Sequence, residues 1–365
     1  MRIIHCADLH LDSKLNTNLD RDKAKTRRSE LLNAFRDMVQ YAADNDVHAI
    51  LISGDLFDTK QVSETVKAIV TDTFVNYPDI SFFYLRGNHD ENNFIASMDE
   101  IPSNVKLFSD EWTEYKLGDS VTVNGLELSG DNTLTAYSGL VLDTDKFNIV
   151  MLHGQEAYAN AKDKSEVINL NALKNKSIDY LALGHIHSYK VEKLDSRGTY
   201  AYPGCLEGRG FDECGKHGFI LLDIDENSKR ASMRFVAFAK RNIYEVHVDI
   251  SECINSARIL ELTERTLAEA GCTQKDMVKV VLEGATDVNC EKNTDYIADT
   301  LRNDYFGFKL EDKSGFKVNY DDYALDESLK GEFVRVVYAD NSISDEDKAE
   351  IIRLGFIALD GGDPV

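Results

Sequence analysis

Five apolar runs in this chain end in the same kinds of residue, and that repetition limits the folds it can adopt. Residues 2–7 run into Asp8-Leu9-His10, and residues 49–53 into Gly54-Asp55-Leu56-Phe57-Asp58. Residues 80–85 run into Arg86-Gly87-Asn88-His89-Asp90, residues 148–152 into His153-Gly154, and residues 180–183 into Gly184-His185-Ile186-His187. Short apolar runs closed by turn residues read as strands buried on both faces. Amphipathic segments separate the first three. Residues 29–43 carry Leu31, Phe35, Met38, Val39 and Ala42 at helical spacing, and residues 63–74 carry Val66, Ile69, Val70 and Phe74 on one face. This strand–helix–strand order calls for parallel pairing with right-handed crossovers. Open sheets of that kind place ligands in the loops at the carboxyl ends of their strands, so His, Asp and Asn are expected to converge on one edge.

Elsewhere the pattern is weaker. Residues 11–28 are polar and read as a loop over the site, and residues 91–109 are irregular. Beyond residue 115 come short runs at 121–123, 126–129 and 147–152, with Gly118-Asp119 and Asn124-Gly125 as turn signals. A short helix at 170–173 and strands at 200–203, 219–224 and 233–238 follow. Two stacked sheets flanked by helices accommodate this count, giving an α/β, four-layer α-β-β-α sandwich over residues 1–240. Past Lys240-Arg241 the pattern restarts with strands at 244–248 and 278–282 and helices at 257–270 and 295–304. Residues 241–340 therefore read as a small α+β cap. Residues 341–365 read as a helical tail with a frayed end from 361. In that tail Ile351, Ile352, Leu354, Phe356 and Leu359 form an apolar stripe, suited either to the cap's own core or to a partner's groove.

With 365 residues, 43% of them hydrophobic and 29% charged, the chain has material for more than one core. No run approaches the ~20 apolar residues of a membrane span, and the first residues lack a signal-peptide pattern. Six cysteines without a CxxC pair point to reduced thiols in a cytoplasmic protein. The net charge of −23, heaviest per residue after 240, opposes non-specific wrapping of nucleic acid. A local basic groove remains open to Lys190, Lys193, Arg197, Arg209, Lys216, Lys240 and Arg241, with Arg209 the candidate phosphate ligand; a solvated face is the alternative. His5 and Cys6 read as core residues, His48, His217 and His247 as structural or surface residues, and Trp112 and Tyr115 as packing.

Asp8 and His10 stand two apart, as do His185 and His187, so each pair can face one way at a strand end. With Asp55, Asn88 and His153 they make a thiolate-free donor set suited to divalent manganese, iron or zinc. A carboxylate shared by two ions ~3.5–4 Å apart is the arrangement for in-line phosphoryl displacement. The ordered set DxH, GDxxD, GNHD, His and GHxH resembles the calcineurin-like metallophosphoesterases. More narrowly it resembles the SbcD/YhaO-like DNA repair exonucleases, nuclease subunits of double-strand-break repair. The stretch Tyr202-Pro203-Gly204-Cys205 with Leu206 to Glu213 and Lys216 to Phe219 adds to that resemblance.

The resemblance implies one divalent ion held by Asp8, His10, Asp55 and His187, and a second held by Asp55, Asn88, His153 and His185. It implies Mn²⁺ first, with Fe²⁺ or Zn²⁺ as alternatives. His89 would protonate the leaving oxygen, while Asp58 and Asp90 would orient imidazoles. DNA would be the substrate and an SMC-like coiled-coil ATPase the partner, with a homodimer possible and no membrane involved; no GxxxxGK[ST] occurs in this chain. The rival functions are a phosphoesterase of a small nucleotide or phosphoprotein, and a DNA-end-binding adaptor of such an ATPase with little catalysis. The chain departs from the family in Arg86, where proline is frequent, Cys205, where serine is usual, and Asp12, where glycine is common.

Overall fold

The computed structural model describes the chain except residues 16–18, 59–60, 91–93, 99, 130–131, 158–166 and 362–365. The frayed end expected from 361 therefore falls outside the described residues after Gly361, as does part of the irregular stretch expected at 91–109. The chain divides into two compact units, Met1–Asn242 and Ile243–Val365.

The first unit runs β1 (Arg2–Cys6), α1 (Arg21–Asp44), β2 (Ala49–Ser53), α2 (Glu64–Asn76), β3 (Ser81–Leu85), β4 (Val105–Leu107), β5 (Thr113–Leu117) and β6 (Val121–Gly125). It continues with α3 (Thr133–Gly139), β7 (Phe147–His153), β8 (Gln155–Ala157), β9 (Val167–Asn169), α4 (Leu170–Leu173), β10 (Tyr180–Gly184), β11 (Lys190–Lys193), β12 (Thr199–Tyr202), β13 (Gly218–Asp225) and β14 (Arg230–Ala237). One six-stranded sheet has the order β14-β13-β1-β2-β3-β4, and the other β11-β12-β10-β7-β6-β5. β1 through β4 pair in parallel, with Ile4 opposite Ile50 and Ile50 opposite Phe82. In the second sheet β6, β7, β10 and β12 are likewise parallel.

Alternation along each strand sorts its side chains into two layers. Ile4, Ile50, Ile52 and Phe82 pack beneath Phe35 and Met38 of α1 and Val70 and Phe74 of α2. Ile3, Leu51, Phe83 and Leu85 meet Ile149, Met151 and Ala182 between the sheets. Val150, Leu152, Leu181 and Leu183 face outward onto Leu170 and Leu173 of α4. The architecture is the α-β-β-α sandwich, and it brings the carboxyl ends of β1, β2, β3, β7 and β10 together.

Some local expectations are corrected. α1 begins at Arg21, within the stretch expected to be loop, because the Asp20 carboxylate accepts from the amides of Asp22 and Lys23. Its early turns also bury Arg27, which donates to Glu207 and to the Gly208 carbonyl; a charge on an otherwise apolar stripe hid that face. Asn124-Gly125 is no turn: β6 runs through it, and the Phe108 ring lies where a side chain at Gly125 would sit. Residues 126–129 are not a strand. There the Asn132 side chain takes the Ser129 amide and the Glu127 carbonyl, so neither is left for a ladder.

The second unit comprises β15 (Ile243–Asp249), α5 (Ser256–Glu269), β16 (Met277–Glu283), β17 (Ala285–Asp287), α6 (Thr294–Leu301), β18 (Gly307–Asp312), β19 (Gly315–Lys317), α7 (Tyr320–Tyr323), α8 (Leu329–Ala339) and α9 (Asp345–Leu359). β15, β16 and β18 form a parallel sheet covered by Ile259 and Leu267 of α5 and by Ile297 and Leu301 of α6. The expected tail is α9, and it is no free docking helix. Ile352 is 0% and Phe356 4% exposed, packed with Val334 and Val337 of α8 and with Val288. Ile352→Ala should thus cost ~2–5 kcal/mol through the cavity it leaves. Hydrogen exchange of the α8 and α9 amides during urea unfolding checks this. A loss under ~0.5 kcal/mol, the range of an exposed site, would contradict the packing.

Candidate metal centre

Three of the five strand ends, those of β1, β2 and β10, deliver their polar residues through strained loops. Asp8 (φ 52°), His10 (φ 46°), Asp55 (φ 51°) and His185 (φ 100°) all adopt the left-handed backbone that favours glycine. Such residues cost on the order of 1–3 kcal/mol each and cluster where geometry matters more than local stability. Two glycines allow the close approach. A side chain on Gly54 would overlap the His153 ring, and one on Gly87 would overlap the Asp55 carboxylate. The turns are pinned to one another: the Asp8 amide donates to the Gly54 carbonyl and the His10 amide to the Asp55 carbonyl. Both Asp8 oxygens accept from the His185 amide, at 2.9 and 3.0 Å.

All seven expected ligands meet here. His10 Nε2 and His187 Nε2 are 3.2 Å apart, and Asp55 Oδ2 lies 3.9 Å from the former. Asp8, His10 and His187 present one donor atom each within 4.8 Å of one another, as do Asp8, Asp55 and His153. On the other side of Asp55, His153 Nε2 is 3.4 Å from Asp55 Oδ2 and 3.0 Å from Asn88 Oδ1, and His185 Nδ1 is 3.4 Å from the same amide oxygen. Donors bonded to one ion at ~2.1 Å lie ~3–3.4 Å from one another. Asp8 is common to the two triads, and Asp55 Oδ2 lies between His10 and His153, so two neighbouring groups of donors stand side by side.

The ring orientations support that use. His153 Nδ1 donates to the Ser53 carbonyl at 2.9 Å, which turns Nε2 toward Asp55 and Asn88. His187 Nδ1 faces Glu213 Oε1 at 2.7 Å, and His10 Nδ1 lies 3.1 Å from Asp58 Oδ1. His89 is not one of the seven but lies against the first set: His10, Asp58 and His89 present one donor atom each within 4.8 Å of one another. Its ring is 45% exposed, meets His10 edge-on, and lies 3.7 Å from Asp58, while its backbone amide holds Asp55 Oδ1 at 2.9 Å.

Concentrated negative charge governs the electrostatics. Burial raises the Asp8 carboxyl to about 7 against the pull of His153 and His187. Burial opposes charge on His153 too, but the Asp55 and Asp8 carboxylates prevail and lift it to about 9. Asp55 in turn stays ionised far below the usual carboxylate range despite its burial, held there by His153 and His10.

Two supporting roles are corrected. Asp90 orients no imidazole; it is buried and accepts from the backbone amides of Leu56, Phe57 and Gly87, so it ties the second and third loops together. Arg209, expected as a phosphate ligand, is engaged by acids. Its Nε and Nη2 donate to Glu213 and its Nη1 to Asp58. Other members of the expected basic groove are also paired with acids, among them Lys190 with Glu156, Arg197 with Asp179, Lys240 with Asp37 and Arg241 with Glu30. Asp58 Oδ1 lies 3.1 Å from His10 Nδ1. Glu213 was missed: an acid in a loop, four residues after Arg209, carries no periodic signal. His217 is buried behind the site, its Nδ1 3.2 Å from Cys205 Sγ. The unusual Asp12 tolerates φ 68° and accepts from the Ser63 amide at the start of α2.

A family model described as calcineurin-like phosphoesterase matches residues 1–189. This chain belongs to that family. It is therefore a metal-dependent phosphoesterase, and the matched residues include every strand end described above. An uncharacterised metallophosphoesterase of Bacillus subtilis (strain 168), YhaO, is 26% identical over 304 residues, covering 78% of this chain and 72% of that protein. The DNA double-strand break repair protein Mre11 of Sulfolobus acidocaldarius is 24% identical over 311 residues, covering 79% of this chain and 76% of that protein. For the Mre11 of Methanosarcina acetivorans the identity is 24% over 253 residues, and the match covers 65% of this chain but 39% of that protein.

A pH dependence follows from His153. Its folded pKa exceeds the unfolded value, so its contribution is complete below ~6.5 and is lost as pH rises through about 9. The metal-free phosphoesterase should therefore melt at lower temperature at pH 9 than at pH 6.5, and His153→Asn should flatten that slope. Calorimetry across this range decides it; a rising melting temperature would contradict the assignment.

Proposed function

We propose that the first unit is a two-metal, Mn²⁺-dependent phosphodiesterase acting on DNA, an exonuclease or endonuclease subunit of DNA repair. The observation that carries this is Asp55 Oδ2 facing His10 on one side and His153 on the other, with exposed His89 beside them. Asp8, His10, Asp55 and His187 would hold one ion, and Asp55, Asn88, His153 and His185 the second; Fe²⁺ or Zn²⁺ would suit the same donors. When bound, the ions supply an activated water and neutralise charge on the phosphoryl oxygens. The protein's own groups do the rest. The Ser53 carbonyl and Glu213 hold imidazoles by their Nδ1 atoms, and Asp58 Oδ1 stands 3.1 Å from His10 Nδ1 as an ion contact. His89 reaches the leaving sugar oxygen and gives it a proton, its ring steadied by Asp58.

The choice of DNA rests on the relatives named as DNA double-strand break repair protein Mre11. An SMC-like coiled-coil ATPase partner and a homodimer follow from the resemblance of the donor motifs to DNA repair exonucleases, and a cytoplasmic location from six cysteines without a CxxC pair. That partner would not dock through Ile352 and Phe356, which are core residues. The pairing of Lys190, Arg197, Arg209, Lys240 and Arg241 with acids favours a second reading, a phosphoesterase of a small nucleotide or phosphoprotein.

The test is Mn²⁺-supported cleavage of linear duplex DNA beside a chromogenic phosphodiester. Cleavage of both supports the DNA reading. Cleavage of the chromogenic ester alone favours the small substrate, and DNA binding with neither cleavage favours an adaptor. Within an active enzyme, His89→Ala should lose ~10²–10⁴-fold in kcat while keeping its Mn²⁺ content. Asp55→Asn should lose metal from both positions. Elemental analysis separates the two, and full activity of His89→Ala would remove the proton-donor role.

A further inference from the structure

Behind the histidines lies a run of charges that the family's donor set does not account for. Glu213 is 4% exposed in its side chain, and its Oε1 lies 2.7 Å from His187 Nδ1. The same oxygen accepts from Arg209 Nε at 3.0 Å and Nη2 at 2.8 Å. The other end of the guanidinium donates from Nη1 to Asp58 Oδ1 at 3.0 Å. Asp58 Oδ1 in turn lies 3.1 Å from His10 Nδ1. The two imidazoles then meet at their far nitrogens, 3.2 Å apart. The groups thus form a closed ring: His187, Glu213, Arg209, Asp58, His10 and back to His187.

We propose that Arg209 is a positioning residue which, by spacing the carboxylates of Glu213 and Asp58, sets the tautomer and the bite of the His10–His187 pair. A carboxylate can only accept, so Glu213 favours an N–H at His187 Nδ1, with Arg209 Nη2 3.3 Å from the same nitrogen, and Asp58 favours one at His10 Nδ1; the 3.2 Å contact of the two Nε2 atoms then needs a proton on one of them until an ion replaces it. A guanidinium is planar, with donors fixed in a fork, so it sets the separation of the carboxylates that a flexible ammonium would leave loose. It also supplies the positive charge that two carboxylates this close require. The loop is anchored independently of the ring. Glu213 Oε2 accepts from the Arg209 amide at 2.6 Å, and the Glu213 carbonyl meets His217 Nε2 at 2.8 Å.

The inference deepens the two-metal reading and rests on it for its consequence in metal binding, but not for its geometry. It is tested on the full chain as Arg209→Lys, which keeps the charge and loses the fork, and as Glu213→Gln, whose amide can present a donor to Nδ1. Two readouts are taken after melting curves show that each variant is folded. Histidine-selective ¹⁵N NMR of the metal-free protein should show a proton on Nδ1 of both His10 and His187 in the wild type, whichever Nε2 also carries one. In Arg209→Lys this should give way to mixed tautomers. Titration with Mn²⁺ should show one of two sites weakened about 10–100-fold in either variant, the other unchanged. Wild-type tautomers and Mn²⁺ affinities in Arg209→Lys would overturn the proposal. So would a raised KM for DNA with a salt slope reduced by ~0.9 and unaltered Mn²⁺ binding, the behaviour of a phosphate ligand. A wild type that binds no Mn²⁺ overturns the two-metal reading, and the NMR readout then decides the positioning role alone. If Arg209→Lys does not fold, Glu213→Asp, which keeps the charge and shortens the reach, decides by the same two measurements.

Discussion

The Asp55 carboxylate is the interaction on which the rest of the first unit turns. One oxygen takes the His89 amide at 2.9 Å; the other faces His153 at 3.4 Å and His10 at 3.9 Å. That single group therefore joins loops from β1, β2, β3 and β7. It can do so because two sheets are stacked face to face, about 10 Å apart, with their strand ends aligned. The joint between sheets is explicit in the bond from His153 on β7 to the Ser53 carbonyl at the end of β2. The core of Ile3, Leu51 and Phe83 against Ile149 and Met151 keeps that alignment rigid. The long apolar runs and the polar loops are parts of one arrangement, in which the runs supply stiffness and the loops accept strain.

Burying so many carboxylates in a mostly acidic chain has to be offset group by group. Asp90 is met by three backbone amides, Glu213 by Arg209 and His187, and Asp55 by His153. Asp8, with weaker compensation, is pushed up to about 7. A centre built this way attracts cations strongly, and proton and divalent ion compete for the same imidazole lone pairs. The basic side chains outside it are largely engaged by neighbouring acids, so the chain's field is shaped by local pairs rather than by a continuous positive face.

In the second unit the same acidic composition sits over an ordinary apolar core. α8 and α9 close over Val334, Val337, Ile352 and Phe356. A stripe of large apolar residues at the end of a chain can serve a partner or its own domain, and periodicity is identical in the two cases. Only the presence of a facing helix separates them.

That difference marks how far the sequence reaches. The five strands that lead into the centre and α2 were legible, because burial on both faces imposes continuous apolar runs and the polar residues follow them directly; β4, β8, β9, β11 and β18 were not, being short or carrying polar residues. The turn at Asn124-Gly125 was misread, because turn propensity is a local preference and Phe108, distant in sequence, packs against the glycine. The start of α1 was misread because its buried face carries Arg27, whose partner Glu207 lies 180 residues away. Arg209 was read as a phosphate ligand and Glu213 only as the end of the stretch 206–213, with no role, since a charge reveals its role only through what it faces. The sequence by itself determined which residues could act and at which strand ends. Only the tertiary structure decided which charges are spent on one another, because pairing depends on distances between residues far apart in the chain.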